Sequence, residues 1–308
     1  MGHDHAHGGG HEHPHATSDF SRAFAIGITL NLGFVIVEVV YGVLAHSMAL
    51  VADAGHNLGD VLGLALAWGA GVLAKRKPTK RRTYGFRGST IMASLANAIV
   101  LLVVTGGIAW ESVRRLFDPE PVAGKTVIVV ALVGVVINAA SAALFMAGRK
   151  GDLNIRSAFL HLASDAVLAF GVAVAGGVML FTGWRWLDPV VSIVLSLVIL
   201  ASTWRLLSDS MNLVLDAVPE GIDPDEVKTY LLELPGVVEV HDLHIWAMST
   251  TETALTAHLV IPTDSCHPKF LHDVCGELHT RFDIEHATLQ VEAPEAPDPC
   301  RLAPEESL

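Results

Sequence analysis

Residues 48–74 read MALVADAGHNLGDVLGLALAWGAGVLA, an apolar run interrupted only by Asp53, His56, Asn57 and Asp60. It exceeds the roughly 20 residues that an α-helix needs to cross a bilayer core. Five further apolar runs flank it: Ala23 to Leu44, Thr90 to Trp110, Lys125 to Ala147, Ile155 to Phe181 and Leu187 to Leu206. The spacing predicts six transmembrane helices, and the composition agrees. Of 308 residues, 51% are hydrophobic and 17% charged, with a mean hydropathy of +0.47, which excludes an ordinary soluble globule.

Charge divides where the apolar runs stop. Residues 1–206 hold 16 Lys and Arg against 12 Asp and Glu, whereas residues 207–308 hold 4 against 20. An acidic, water-soluble domain therefore follows the membrane part. Its sign argues against nucleic acid, whose phosphates need a basic surface, and favours cations as ligands. The loop after the second run carries Lys75, Arg76, Lys77, Lys80, Arg81, Arg82 and Arg87, and the loop after the fourth carries Arg149, Lys150 and Arg156. The opposite loops are poorer in cations, so both termini are expected on the cytoplasmic side. Cys266, Cys275 and Cys300 are too few for a disulfide framework and suit a reducing compartment. The polar N-terminus lacks the basic-then-apolar pattern of a cleavable signal peptide.

The acidic part predicts a compact αββαβ unit, a ferredoxin-like α+β fold. Asp223 caps a helix that opens at Pro224, Val238 to Ala247 and Ala254 to Ile261 alternate like strands, Lys269 to Arg281 reads as a second helix and Ala287 to Val291 as a third strand. The expected organisation is a His-rich tail (1–20), a six-helix membrane domain (21–208), a cytosolic metal-binding and dimerisation domain (209–293) and a loose Pro- and Glu-rich end (294–308).

Chemistry concentrates inside the second and fifth runs. Each holds the spacing H-x-x-x-D, as His56 with Asp60 and as His161 with Asp165. On a helix, positions i and i+4 share a face, so two such helices meeting would offer two imidazoles and two carboxylates. Tetrahedral coordination by His and Asp suits Zn²⁺. A carboxylate at mid-bilayer costs at least about 2.5–3.5 kcal/mol, a penalty that a bound divalent cation offsets. Taken alone, each pair also fits a hydrogen-bonded clamp between helices. Asp53 lies on the same stripe, as a polar entrance residue or a group near the outer water, and Glu38 near a helix end reads as reaching the interface. Six histidines in the first 15 residues suggest a loose metal-collecting tail. In the acidic domain, His241 and His258 can face each other across adjacent strands, with Glu292 arriving from the third.

No Gly-rich loop with Lys-Ser/Thr and no G-x-S-x-G occurs, so neither nucleotide-driven pumping nor serine-based hydrolysis finds residues to carry it. Two other classes stay in view. A membrane-bound zinc sensor or buffer would bind without transport, although it has no need of ligands buried in lipid. A metalloenzyme would need an open coordination position that four protein ligands close.

The stretch Ser47 to Asp60 (SMALVADAGHNLGD), Tyr84-Gly-Phe86 after the basic loop, and Val240 to Trp246 (VHDLHIW) resemble the cation diffusion facilitator family, in particular its zinc transporters with a His-Asp pair on the second and fifth spans. The resemblance runs from about residue 20 to 293. It implies a homodimer of six-span protomers that exports divalent metal in exchange for protons; the ligand types suit Zn²⁺, with Cd²⁺ or Co²⁺ nearly as well, the plasma (inner) membrane is the expected location, and the chain is not expected to be an enzyme. It carries the transport site to His56, Asp60, His161 and Asp165, and a cytosolic metal site to His241, His258 and Glu292, with His286 as a further candidate. Gln290 stands where some relatives have histidine, and the loop after the second span is basic where others hold a metal.

Overall fold

The computed structural model describes residues 16–146, 153–262 and 268–294. The His-rich residues 1–15, the loop cations Arg149 and Lys150, and Cys266, His267 and Cys300 lie outside them. Six long helices come first: α1 (Ala16–Leu44), α2 (Met48–Ala74), α3 (Ser89–Phe117), α4 (Gly124–Phe145), α5 (Leu153–Thr182) and α6 (Leu187–Val214). Among the described residues, α2 to α6 are long and apolar enough to cross a membrane, and Thr29–Leu44 of α1 adds a shorter apolar stretch. Side chains such as Trp68, Val103, Phe117, Val167 and Phe181 stand exposed around these helices, the pattern of a lipid-facing surface.

Two compact units emerge: residues up to Val61 with Val104–Ile199, and Leu62–Val103 with residues from Leu200 on. Within the first, small residues allow backbones to meet. A Cβ on Gly124 would lie 3.2 Å from the Gly176 carbonyl oxygen, and one on Gly176 only 3.0 Å from Val127 Cγ1, so α4 and α5 approach closely. This small-residue contact is the usual way helices associate where no water drives them together. Gly134 of α4 likewise receives the Phe34 ring from α1.

The start of α2 is held by a residue far away in sequence. Asp188, in the first turn of α6, accepts hydrogen bonds from Ser47 Oγ (2.5 Å), Met48 N (2.7 Å) and Ala49 N (3.4 Å). Ser47 Oγ in turn accepts from Leu50 N at 3.2 Å. The orphan N–H groups of a helix start are thus satisfied by a buried carboxylate, which the positive end of the helix dipole also favours.

In the second unit, α7 (Pro224–Leu232) opens on an Asp223 cap whose carboxylate accepts from Asp225 N at 2.9 Å. Strands β1 (Glu239–Ala247), β2 (Thr253–Val260) and β3 (His286–Glu292) form one sheet in that order, β1–β2 antiparallel and β2–β3 parallel, with α8 (Pro268–Phe282) making the crossover. Val227 and Leu231 of α7, Leu278 of α8, and Leu255 and Leu259 of β2 share one core, so both helices cover one sheet face. This is the expected αββαβ fold. The β1–β2 turn meets the start of α3 through Thr250 N donating to Thr90 Oγ1 (3.0 Å) and the Arg87–Glu252 ion pair (3.1 Å).

Asp188→Ala strips acceptors from three buried donors. A loss of about 1–3 kcal/mol is expected from such unsatisfied groups, read as a lower thermal unfolding midpoint in detergent, with Asp188→Asn losing less.

Candidate metal centres

His56 and Asp60 project from α2, two to three turns past its capped start, and His161 and Asp165 project from α5. His56 Nε2 lies 3.3 Å from Asp165 Oδ1, and His161 Nε2 lies 3.3 Å from Asp60 Oδ2 and 3.6 Å from Asp165 Oδ2. His56 Nδ1 stands 4.0 Å from Asp60 Oδ2, with the two rings edge-on at 6.1 Å between centroids. Each imidazole therefore touches the other helix's carboxylate. Donors about 2.0–2.2 Å from a common tetrahedral ion lie about 3.3–3.6 Å apart, so the cross-helix separations match that geometry. Asp60, His161 and Asp165 offer ligand atoms within 4.8 Å of one another. Asp165 is the innermost, its side chain 3% exposed. Two carboxylates against one divalent ion also leave no net charge to stabilise in the bilayer.

A second group sits on the cytoplasmic-type domain. Register pairs His241 directly with His258, and β3 places Glu292 opposite Val260, on the same face as His258 two residues away. Glu292 Oε1 is 2.9 Å from His258 Nδ1, and Glu292 Oε2 is 3.5 Å from His241 Nε2. The rings meet edge-on at 5.2 Å. Both nitrogens of His241 are buried without a hydrogen bond, although Glu239 and Glu292 oxygens come within 3.5 Å. Buried polar atoms are normally satisfied, and a metal ion is the partner that this donor set fits. Gln290 Nε2 donates to Glu292 Oε1 at 2.9 Å, so the residue standing in for histidine orients the carboxylate.

His286 does not join this group. It begins β3 opposite Ala254 and packs edge-on against Tyr84 at 5.6 Å. It lies six positions along the strand from Glu292, about 20 Å of extended chain. The spacing places both on one strand face, and only the axial distance keeps them apart.

Glu38 departs from expectation, and so does the outer-water reading of Asp53. Neither reaches water: both are fully buried, and Asn57 Nδ2 donates to Glu38 Oε2 at 3.1 Å. Asp53 stands beside Glu38 as its other neighbour. Their ionisable character inside apolar spans was the available signal. Their mutual packing needed the placement of α1 against α2.

The family described as "Cation efflux transmembrane domain" matches residues 24–215, and that described as "Cation efflux protein, cytoplasmic domain" matches residues 219–294. The chain belongs to the cation efflux family. Its six helices and its αββαβ unit are that family's two parts, and the family is one of membrane transporters rather than catalysts. Among relatives, this cation efflux protein is 37% identical over 287 residues to the metal cation efflux system protein CzcD of Cupriavidus metallidurans, covering 92% of this chain and 90% of that protein. It is 37% identical over 294 residues to the zinc transporter ZitB of Escherichia coli, covering 95% and 93%. It is 31% identical over 288 residues to the cadmium, cobalt and zinc/H(+)-K(+) antiporter of Bacillus velezensis, covering 92% of each.

Asp165 contacts both imidazoles of the membrane cluster, so Asp165→Ala is expected to weaken zinc binding there more than the roughly 10- to 100-fold that loss of an outer partner costs. Zinc titration of the full chain against a chelating indicator, beside Asp165→Asn, measures it. Unchanged binding in both variants would count against Asp165 as a ligand.

Proposed function

We propose that this chain exports Zn²⁺ from the cytosol in exchange for protons by alternating access. The observation that carries the reading is the reciprocal cross-helix contact of His56 with Asp165 and of His161 with Asp60, each at 3.3 Å inside a membrane helix pair, with Asp60, His161 and Asp165 offering ligand atoms within 4.8 Å of one another. The names of the relatives, which include zinc transporters and a cadmium, cobalt and zinc/H(+)-K(+) antiporter, support the cargo and an exchange that involves protons.

Metal and protons compete for the same atoms. Zn²⁺ requires neutral imidazole and ionised carboxylate, so a proton bound at either group lowers metal affinity. With the site open to the cytosol, zinc sheds water and takes the four ligands. Rocking of the helices turns the site outward, where protons displace the metal and restore the charge it carried. The loaded and protonated states are both near neutral, which lets the site cross the low-dielectric layer; the empty, doubly anionic state is penalised. An inward proton gradient then drives metal out without nucleotide. Cd²⁺ and Co²⁺ suit the same donors, whereas Mg²⁺ and Mn²⁺ prefer more oxygen.

His241, His258 and Glu292 are read as a resident zinc site with one position open to a further ligand. Neutralising acidic faces there would favour association of two protomers, so the working unit is read as a homodimer in the inner membrane of a cell, both termini cytoplasmic. The basic α2–α3 loop supports that orientation.

Zinc flux into proteoliposomes under an imposed pH gradient tests the central claim. Gradient-driven flux is expected from the unaltered chain and is expected to vanish in Asp60→Ala while a chain lacking residues 1–16 retains it. Zinc binding without flux under any gradient would replace transport with the sensor or buffer reading.

A further inference from the structure

Asp242 occupies a strained position beside the cytosolic cluster. The β1–β2 register slips between His241 and His244: His241 faces His258, but His244 faces Thr256, so β1 carries one extra residue there. Asp242 holds a φ of +51°, in the left-handed region that side chains other than Gly, Asn and Asp rarely adopt. A bulge of this kind re-aims a side chain at the cost of local backbone strain. Here it turns a carboxylate only 12% exposed between two imidazoles. Asp242 Oδ1 is 3.0 Å from His244 Nε2, and Oδ2 is 3.5 Å from His258 Nε2.

His258 is thus held at both ends. Its Nδ1 faces Glu292 at 2.9 Å, inside the group that offers metal ligands, while its Nε2 faces Asp242, outside that group. A neutral imidazole that binds metal through one nitrogen carries its proton on the other, and needs an acceptor for it. We infer that Asp242 is a positioning residue for the cytosolic metal site: it accepts the Nε2–H of His258, fixes the ring so that Nδ1 serves as the metal-binding nitrogen on the side of Glu292, and is held there by the bulge. A carboxylate behind a metal-binding histidine sets its orientation and raises its basicity. His244, on the same carboxylate and more exposed, ties this outer shell to solvent. The inference rests on reading His241, His258 and Glu292 as a metal site.

The test uses the purified full chain in detergent with Co²⁺ as a coloured probe, reading the cytosolic contribution as the difference from Glu292→Ala. Asp242→Gly and Asp242→Asn both tolerate a positive φ, so either retains the backbone. Asp242→Gly is expected to lower Co²⁺ affinity at this site about 10- to 100-fold with unchanged stoichiometry and visible bands. Asp242→Asn, which retains one acceptor oxygen, is expected to recover part of that loss. Unchanged affinity in Asp242→Gly overturns the inference. So does a lost ion with altered bands, which would make Asp242 a ligand itself. If Glu292→Ala binds as much Co²⁺ as the unaltered chain, the underlying metal site falls, and the inference falls with it for that separate reason.

Discussion

A carboxylate within the hydrocarbon layer is stable only where its charge is met on the spot, and that demand organises the membrane half of this molecule. Asp60, Asp165 and Asp188 all lie on apolar helices, and each has a stated neighbour: an imidazole from another helix or the N–H groups of a helix start. Unmet, any of them would cost several kcal/mol, comparable with the whole stability of a domain. The helices are therefore positioned by their few polar residues as much as by their many apolar ones.

Two of those arrangements set the metal-binding geometry between them. The Asp188 carboxylate fixes where α2 begins, and the nine residues from Ser47 to His56 then fix the height of the His-Asp face by helical rise alone. The glycines at the α4–α5 contact fix how close α5 lies to its neighbour. A substitution at Gly176 or Asp188 thus acts on the cluster without touching it, through the placement of the helices that carry it.

Much of this was legible in the sequence, for reasons that differ element by element. The run 48–74 matches α2 residue for residue because a lipid-crossing helix demands a long, predominantly apolar stretch, which a few polar residues do not break. Helices α3 and α6 continue to Phe117 and Val214, beyond the apolar runs ending at Trp110 and Leu206, because helical hydrogen bonding does not stop where hydropathy does. The paired His-Asp spacing was visible because i and i+4 lie on one face whatever the tertiary structure. The confrontation of His241 with His258 followed from strand alternation. Glu38 was misread as an interfacial group because its fate depends on Asn57, nineteen positions away on another helix. Asp242 gave no signal, since a bulge is a property of two strands in register and not of either alone. His286 shared the right face and missed the cluster by its distance along the strand.

The bond from Asn57 to Glu38 has a mechanical meaning for α1 and α2. In water, such a contact exchanges readily with solvent; with Glu38 and Asn57 both buried, this one does not. Sliding one helix past the other by a turn, about 5.4 Å, would leave a buried acid and an amide bare. Tilting the two together leaves the bond intact. The bond thereby ties the height of α1 to that of α2, the helix bearing His56 and Asp60.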